Sequence, residues 1–186
     1  MAKTYNDIMT FSSGQILTAT QMNTLGTNSD NTLVPATCGA TNSTTQSLTT
    51  ATFTAITFNS EPANWDTDTI HSTSTNTSRF TLTTAGLYLF NISVSFAANA
   101  TGRRLVAVRE GGTNFEGVGG LQVTGVSIGQ VNASWVVNVT STTTYYEFMA
   151  FQDSGGNLNI LADDPTVSGT YCRASVTWLN RITLPT

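Results

Sequence analysis

Charge is what this chain has least of. Only 10% of its 186 residues are Asp, Glu, Lys or Arg, far below the usual quarter. A helical protein of this length would carry many more, because solvent-facing helix positions are filled by Glu, Lys and Arg. Seven basic residues are spread over the chain, adjacent only at Arg103 and Arg104, and the formal net charge is -4. That pattern lacks the basic patch that nucleic-acid binding requires. No apolar run approaches the roughly 20 residues of a membrane-spanning helix. The opening stretch, MAKTYNDIMTFSSGQ, has no uninterrupted apolar core of the secretory type, so the expectation is cytosolic synthesis without a cleaved leader. Two cysteines, Cys38 and Cys172, are too few for a disulfide scaffold. No Cys-x-x-Cys or Cys/His spacing marks zinc. They read as two small buried hydrophobes, or as a single link between the first and last core strands.

Polarity is supplied instead by Thr, Ser and Asn. Threonine makes up roughly a fifth of the chain, and it favours strands. The composition therefore points to an all-β protein of one domain with a short appendage. The most regular stretch is TTAGLYLFNISVSFAAN, Thr83–Asn99. Tyr88, Phe90, Ile92, Val94 and Phe96 alternate along it with Asn91, Ser93 and Ser95, which predicts a strand with one buried face. Gly86 marks the turn before it, free to take a positive φ. Further strands are expected over 34–40, 51–58, 79–83, 87–98, 103–110, 121–129, 133–140, 145–153 and 171–182. Trp135, Phe148 and Trp178 fall in phase with buried faces of those strands. Eight or nine short strands without intervening helices predict an antiparallel two-sheet sandwich or jelly roll over residues 34–186.

Residues 1–33 differ and read as an anchoring arm. Thr18 and Gln21 form a capping-box pattern, which predicts a helix of one to two turns ended by Gly26. Such a helix is too short to stand alone. Phe11, Ile16, Leu17, Met22 and Leu25 are its candidate anchors, docking on a partner, a neighbouring copy or its own domain.

Chemistry is hard to find. GVSIG (Gly125–Gly129) matches the G-x-S-x-G pattern of hydrolases, but no helix follows Ser127, and His71 is the only histidine. His71 reads as a solvated loop residue, or as a protonation switch or ligand. Asp66 and Asp68, like Asp163 and Asp164, read as turn formers or as a structural cation site; the spacing is not that of an EF-hand. Gly111–Gly120 is glycine-rich, yet no Lys follows and no helix opens there, so it reads as a long hairpin loop. Phe115 at its centre would anchor into a neighbour or cover its own sandwich. Trp65, in a loop after Pro62, joins Phe115, Asp163 and Asp164 as a possible contact surface. No catalytic residue, cofactor site or metal ligand is assigned.

The segment RFTLTTAGLYLFNISVSFAAN (Arg79–Asn99) resembles the most recognisable part of complement C1q-like domains, where a Gly-x-Tyr turn leads into a long aromatic strand. Gly86 and Tyr88 hold the matching positions. GRRLVAVREGG, YYEFMAFQDSGGNLNI and YCRASVTWLNRI are similar to later strands of that family, so the resemblance covers roughly residues 34–183. It implies a C1q/tumour necrosis factor-type jelly roll that assembles as a compact homotrimer. The chain departs from animal members in lacking a collagen-like stalk and a signal peptide. Its front end, TFSSGQILTATQMNTLGTN, is similar instead to short leaders of tailed-phage structural proteins, through Gly14, Leu17, Thr18, Ala19, Met22 and Asn23. Together these resemblances imply a non-enzymatic protein of the virion surface, assembled in the host cytoplasm. The leading expectation is a trimeric capsid decoration protein held by its arm to the major capsid protein or to neighbouring trimers. The other is a tail-fibre or head-fibre module that binds a host-surface glycan. Neither involves nucleic acid or membrane.

Overall fold

The protein is described from a computed structural model that covers residue 9 and residues 11–122, 128–164, 166 and 171–181. The capping box forms as the sequence predicts: Gln21 N–H donates to Thr18 Oγ1 at 3.2 Å, and Thr18 N–H donates to Gln21 Oε1 at 2.9 Å. The helix does not stop at Gly26. It runs as α1 (Ala19–Leu33), 15 residues. A glycine inside a helix costs about 1 kcal/mol without blocking it, whereas the residue before a proline is pushed out of the α region. Pro35 is therefore the terminator. Val34 takes φ -126° and ψ 81°, and its N–H makes the last bond to Asp30 O at 2.9 Å.

Two antiparallel sheets follow. The first contains β1 (Thr37–Thr41), β2 (Gln46–Leu48), β5 (Gly86–Phe96), β8 (Gly129–Val139), β10 (Leu158–Ile160) and β11 (Cys172–Asn180). Its main run is β1-β11-β5-β8, and the short β10-β2 pair joins the end of β5. The second contains β3 (Thr54–Ala55), β4 (Arg79–Thr81), β6 (Arg103–Glu110), β7 (Asn114–Gln122) and β9 (Tyr145–Gln152). Here β3 and β4 both flank β9, then come β6 and β7. This is the expected antiparallel jelly-roll sandwich, with α1 outside it. The expected strand over 51–58 shortens to β3, because its flanks bond as loops. The stretch expected as a long hairpin loop is largely β7.

The core lies between the sheets. Tyr88, Phe90, Val94, Phe96 and Phe148 are buried, as is Ile92. The Phe148 ring meets Phe80 at 5.3 Å and Phe90 at 5.8 Å, and Phe90 meets Tyr146 at 5.3 Å. Offset and edge-on aromatic pairs of this kind add to the area term of burial. Trp135 and Trp178 are partly buried and pack against the core margin. Gly86 has φ 144°, and a Cβ there would meet Asn180 O at 2.4 Å, so only glycine fits where β5 starts beneath the end of β11. Cys38 and Cys172 are buried free cysteines. Cys38 pairs with Val176, four residues along β11 from Cys172; at about 3.3 Å per residue no disulfide can span them.

Candidate assembly surfaces

The two sheets present different outer faces. Among the strand residues of the first sheet, one carries a charge, Arg173. The strands of the second carry Arg79, Arg103, Arg104, Arg109, Glu110, Glu116 and Glu147. On the outer face of the first sheet the residues form rows across β11, β5 and β8. Thr177, Leu89 and Val136 make one row, and Ser175, Asn91 and Ser134 the next. Asn91 ties its row together: its Nδ2 donates to Ser175 Oγ at 3.3 Å, and its Oδ1 accepts from Ser134 Oγ at 2.7 Å. Val136 and Leu179 remain exposed on this face, at 60% and 46%. Beside them runs a shallow trough of 280 Å³ floored by small residues such as Ser93, Ser134 and Ser175, with Trp65 as its wall.

Trp65 reaches this face because its loop folds around the β1 edge. Its ring lies on Gly39, where a Cβ would come within 2.1 Å of it, and its carbonyl accepts from Gly39 N–H at 3.2 Å. Asp163 stands near it: both line a cleft of 370 Å³ with Ser60, Glu61 and Arg173. Arg173 Nε donates to Asp163 Oδ1 at 2.6 Å, and that bond raises the guanidinium pKa further. Burial pushes the Cys172 thiol up to about 12, with Asp163 adding to the shift. Asp164 holds a turn, accepting from Thr166 N–H at 2.8 Å. Phe115 lies elsewhere, on the outer face of the second sheet, packed at a tilt against Phe53 at 4.9 Å, which in turn meets Phe151 at 5.0 Å. The four residues expected to share a contact surface thus divide between opposite sides of the sandwich.

The arm residues are all exposed. Phe11 is 45% exposed, Ile16 89%, Leu17 42%, Met22 51% and Leu25 38%. Leu33 and Val34 continue the series. No described apolar side chain of α1 is covered.

Ionisable side chains also lie inside. His71, expected in solvent, is buried between Phe58 and Phe80. Its Nδ1 faces Glu61 Oε1 at 2.5 Å and its Nε2 faces Thr77 O at 3.0 Å. The polar sequence around it gives no sign of this, because the loop turns inward only under the backbone bonds of Asp66. Arg104 is also fully buried and donates to the carbonyls of Asn99, Thr101 and Arg103; burial lowers its pKa. Glu147 accepts from Arg109 at 2.8 Å and from Ser78 at 2.9 Å. Asp153 accepts from the Arg103 backbone N–H and from Arg103 Nε at 2.9 Å. Those bonds hold its carboxyl below the ordinary range. Ser127 lies outside the described residues.

No protein-family model and no curated protein sequence matches the chain. Solved structures match in shape. The globular domain of zebrafish complement 1qA superposes with a TM-score of 0.55 at 12% identity, over 79% of this chain and 99% of that one. Murine APRIL gives 0.55 at 10% identity, over 77% and 98%. The Eiger TNF of S. frugiperda gives 0.52 at 12% identity, over 81% and 96%. At such identities the likeness establishes the fold: the chain is a C1q/TNF-type jelly roll.

Proposed function

We propose that this protein is a non-enzymatic structural protein of a phage virion, a homotrimer that decorates the capsid. The observation that carries the reading is the one-sided charge of the sandwich. The first sheet offers an outer face with a single charged strand residue, two exposed apolar side chains and a trough of small residues. Interface centres are depleted of charge, so this is the face that copies of the chain bury against each other. The second sheet, whose strands keep Arg103 and Glu116 exposed and Arg79, Arg109 and Glu110 partly exposed while Arg104 and Glu147 are buried, faces solvent. The exposed apolar residues from Phe11 to Leu33 then serve as the anchor, gripping the major capsid protein or a neighbouring trimer. The leader resemblance at Gly14, Leu17, Thr18, Ala19, Met22 and Asn23 supports a place on the virion surface. A second reading, a fibre module that binds a host-surface glycan, is favoured by Trp65 beside the cleft with Asp163 and Arg173. An exposed indole next to charged and hydroxyl groups suits a sugar.

Copy number per virion separates the two. Quantitative mass spectrometry against the major capsid protein should return hundreds of copies for decoration. A few to a few tens would move the protein to a tail or sparse fibre, and absence from purified particles would refute both.

A further inference from the structure

We propose that Cys38, Glu61 and Asp66 form a binding site for a divalent zinc-type ion, with His71 supporting Glu61 from behind. The fold brings them together from β1 and from the loop that wraps its edge. Donor atoms of Cys38, Glu61 and Asp66 all lie within 4.8 Å of one another. A four-coordinate zinc holds its donors about 3.3–3.8 Å apart, given bond lengths near 2.0–2.3 Å. The side chains therefore need to close by only about 1 Å. His71 adjoins the group through Glu61 at 2.5 Å.

Each member is set up as a ligand. Cys38 is fully buried, and its thiol has no hydrogen-bond partner among the described residues. Its face toward two carboxylates is unusual for a thiol that only fills space. Asp66 is oriented by three backbone donors: Asp68 and Ile70 N–H to Oδ1 at 3.2 and 2.9 Å, and His71 N–H to Oδ2 at 2.9 Å. A carboxylate has about four lone-pair sites, so one remains on Oδ2. At His71 the carbonyl of Thr77 can only accept, so Nε2 carries a proton. That places the ring's remaining lone pair or shared proton at Nδ1, toward Glu61. Metal-ligating carboxylates are commonly held by a hydrogen bond of this kind, and the His71 ring supplies it to Glu61.

One thiolate and two carboxylates, with a fourth position for water, suit zinc or a similar borderline ion. Calcium takes oxygen ligands and would leave the sulfur unused. Binding releases the thiol proton to solvent, so affinity rises with pH. The ion would tie the loop that carries Trp65 to β1.

The test is titration of the full-length protein with cobalt(II) and then zinc. The expected result is one equivalent of cobalt with a thiolate-to-metal charge-transfer band in the near ultraviolet, displaced by zinc. Cys38→Ser should remove the band and weaken zinc by more than about 100-fold, beyond what loss of a supporting partner costs. Cys172→Ser should leave both unchanged. Should Cys38→Ser fail to fold, Glu61→Gln supplies the same comparison, because the Glu61 side chain is partly exposed; a loss of at least about tenfold is expected with circular dichroism preserved. A wild-type protein that gives no thiolate band overturns the proposal. So does a band that follows Cys172, or full zinc affinity in Cys38→Ser or Glu61→Gln.

Discussion

Val136→Asp tests the buried face most directly. Val136 is 60% exposed in the single chain, in a row with Leu89 and Thr177 on a sheet face that carries one charge. For the isolated protomer the substitution costs about 1 kcal/mol at most, the span of strand propensity at an exposed position. In a trimer that buries this face the same change places one carboxylate per protomer in a desolvated centre. At roughly 3 kcal/mol per ion the trimer loses about 9 kcal/mol. That is between six and seven decades in the association constant, at 1.4 kcal/mol per decade. Because three monomers combine, the midpoint concentration of assembly scales as the square root and rises roughly a thousandfold. Sedimentation equilibrium across a wide concentration range reads this shift, and denaturation of the dissociated protomer reads the small monomer cost. Val136→Thr keeps the branched, neutral side chain and should assemble as the wild type does. The reasoning fails if Val136→Asp trimerises at the wild-type midpoint, or if the wild type sediments as a monomer throughout.

Deleting residues 1–30 should leave a folded trimer that no longer binds virions, read by circular dichroism and co-sedimentation; loss of folding would place the arm within the core. Phe90→Ala empties a buried site against Tyr146 and Phe148 and should cost about 3–5 kcal/mol in chemical denaturation; a change under about 1 kcal/mol would mean that the side chain is not buried between the sheets. Asp153, held below the ordinary range by Arg103, stabilises the fold above its unfolded pKa, and that contribution disappears as pH falls through the lower folded value. Asp153→Asn should therefore be less stable than the wild type at neutral pH, with the difference vanishing in acid. An NMR titration of Asp153 at or above about 3.9 would contradict this.

Legibility followed the range over which the responsible forces act. The capping box at Thr18 and Gln21, the alternation of Tyr88 to Phe96 and the turn at Gly86 depend on neighbours a few residues away, and all three stand in the sequence. The end of α1 was misplaced because Gly26 is a weak stop and Pro35 a strong one. β7 was hidden by its glycines. Gly117 and Gly119 look like loop residues until Trp135 is seen lying against them, where a Cβ at Gly117 would come within 2.0 Å of the indole. β2 and β10 have three residues each, too few to show a period. The burial of His71 against Glu61 and the meeting of Glu61 and Asp66 with Cys38 depend on a loop crossing the β1 edge, which no local pattern encodes. Trp65 and Phe115 were grouped because both are large, loop-like and without an obvious core position. The fold separates them, since one loop wraps the first sheet and the β7 strand lies on the second.

The arm and the sandwich leave different surfaces unmatched, and the difference bears on how they are used. A 15-residue helix is marginal in water by itself, and α1 covers none of its described apolar side chains. Its stability must come from whatever it docks on, which makes it a segment that orders on contact. The sandwich has its own core, closed by Phe58, Phe80, Phe90 and Phe148. What its first sheet lacks is charge to keep water on that face. On the proposed reading, assembly through the sheet and anchorage through the arm would fail independently, one by a charge at Val136 and the other by loss of residues 1–30. A decoration protein that assembles first and attaches afterwards would be served by that separation, because α1 gains its stability only where it docks.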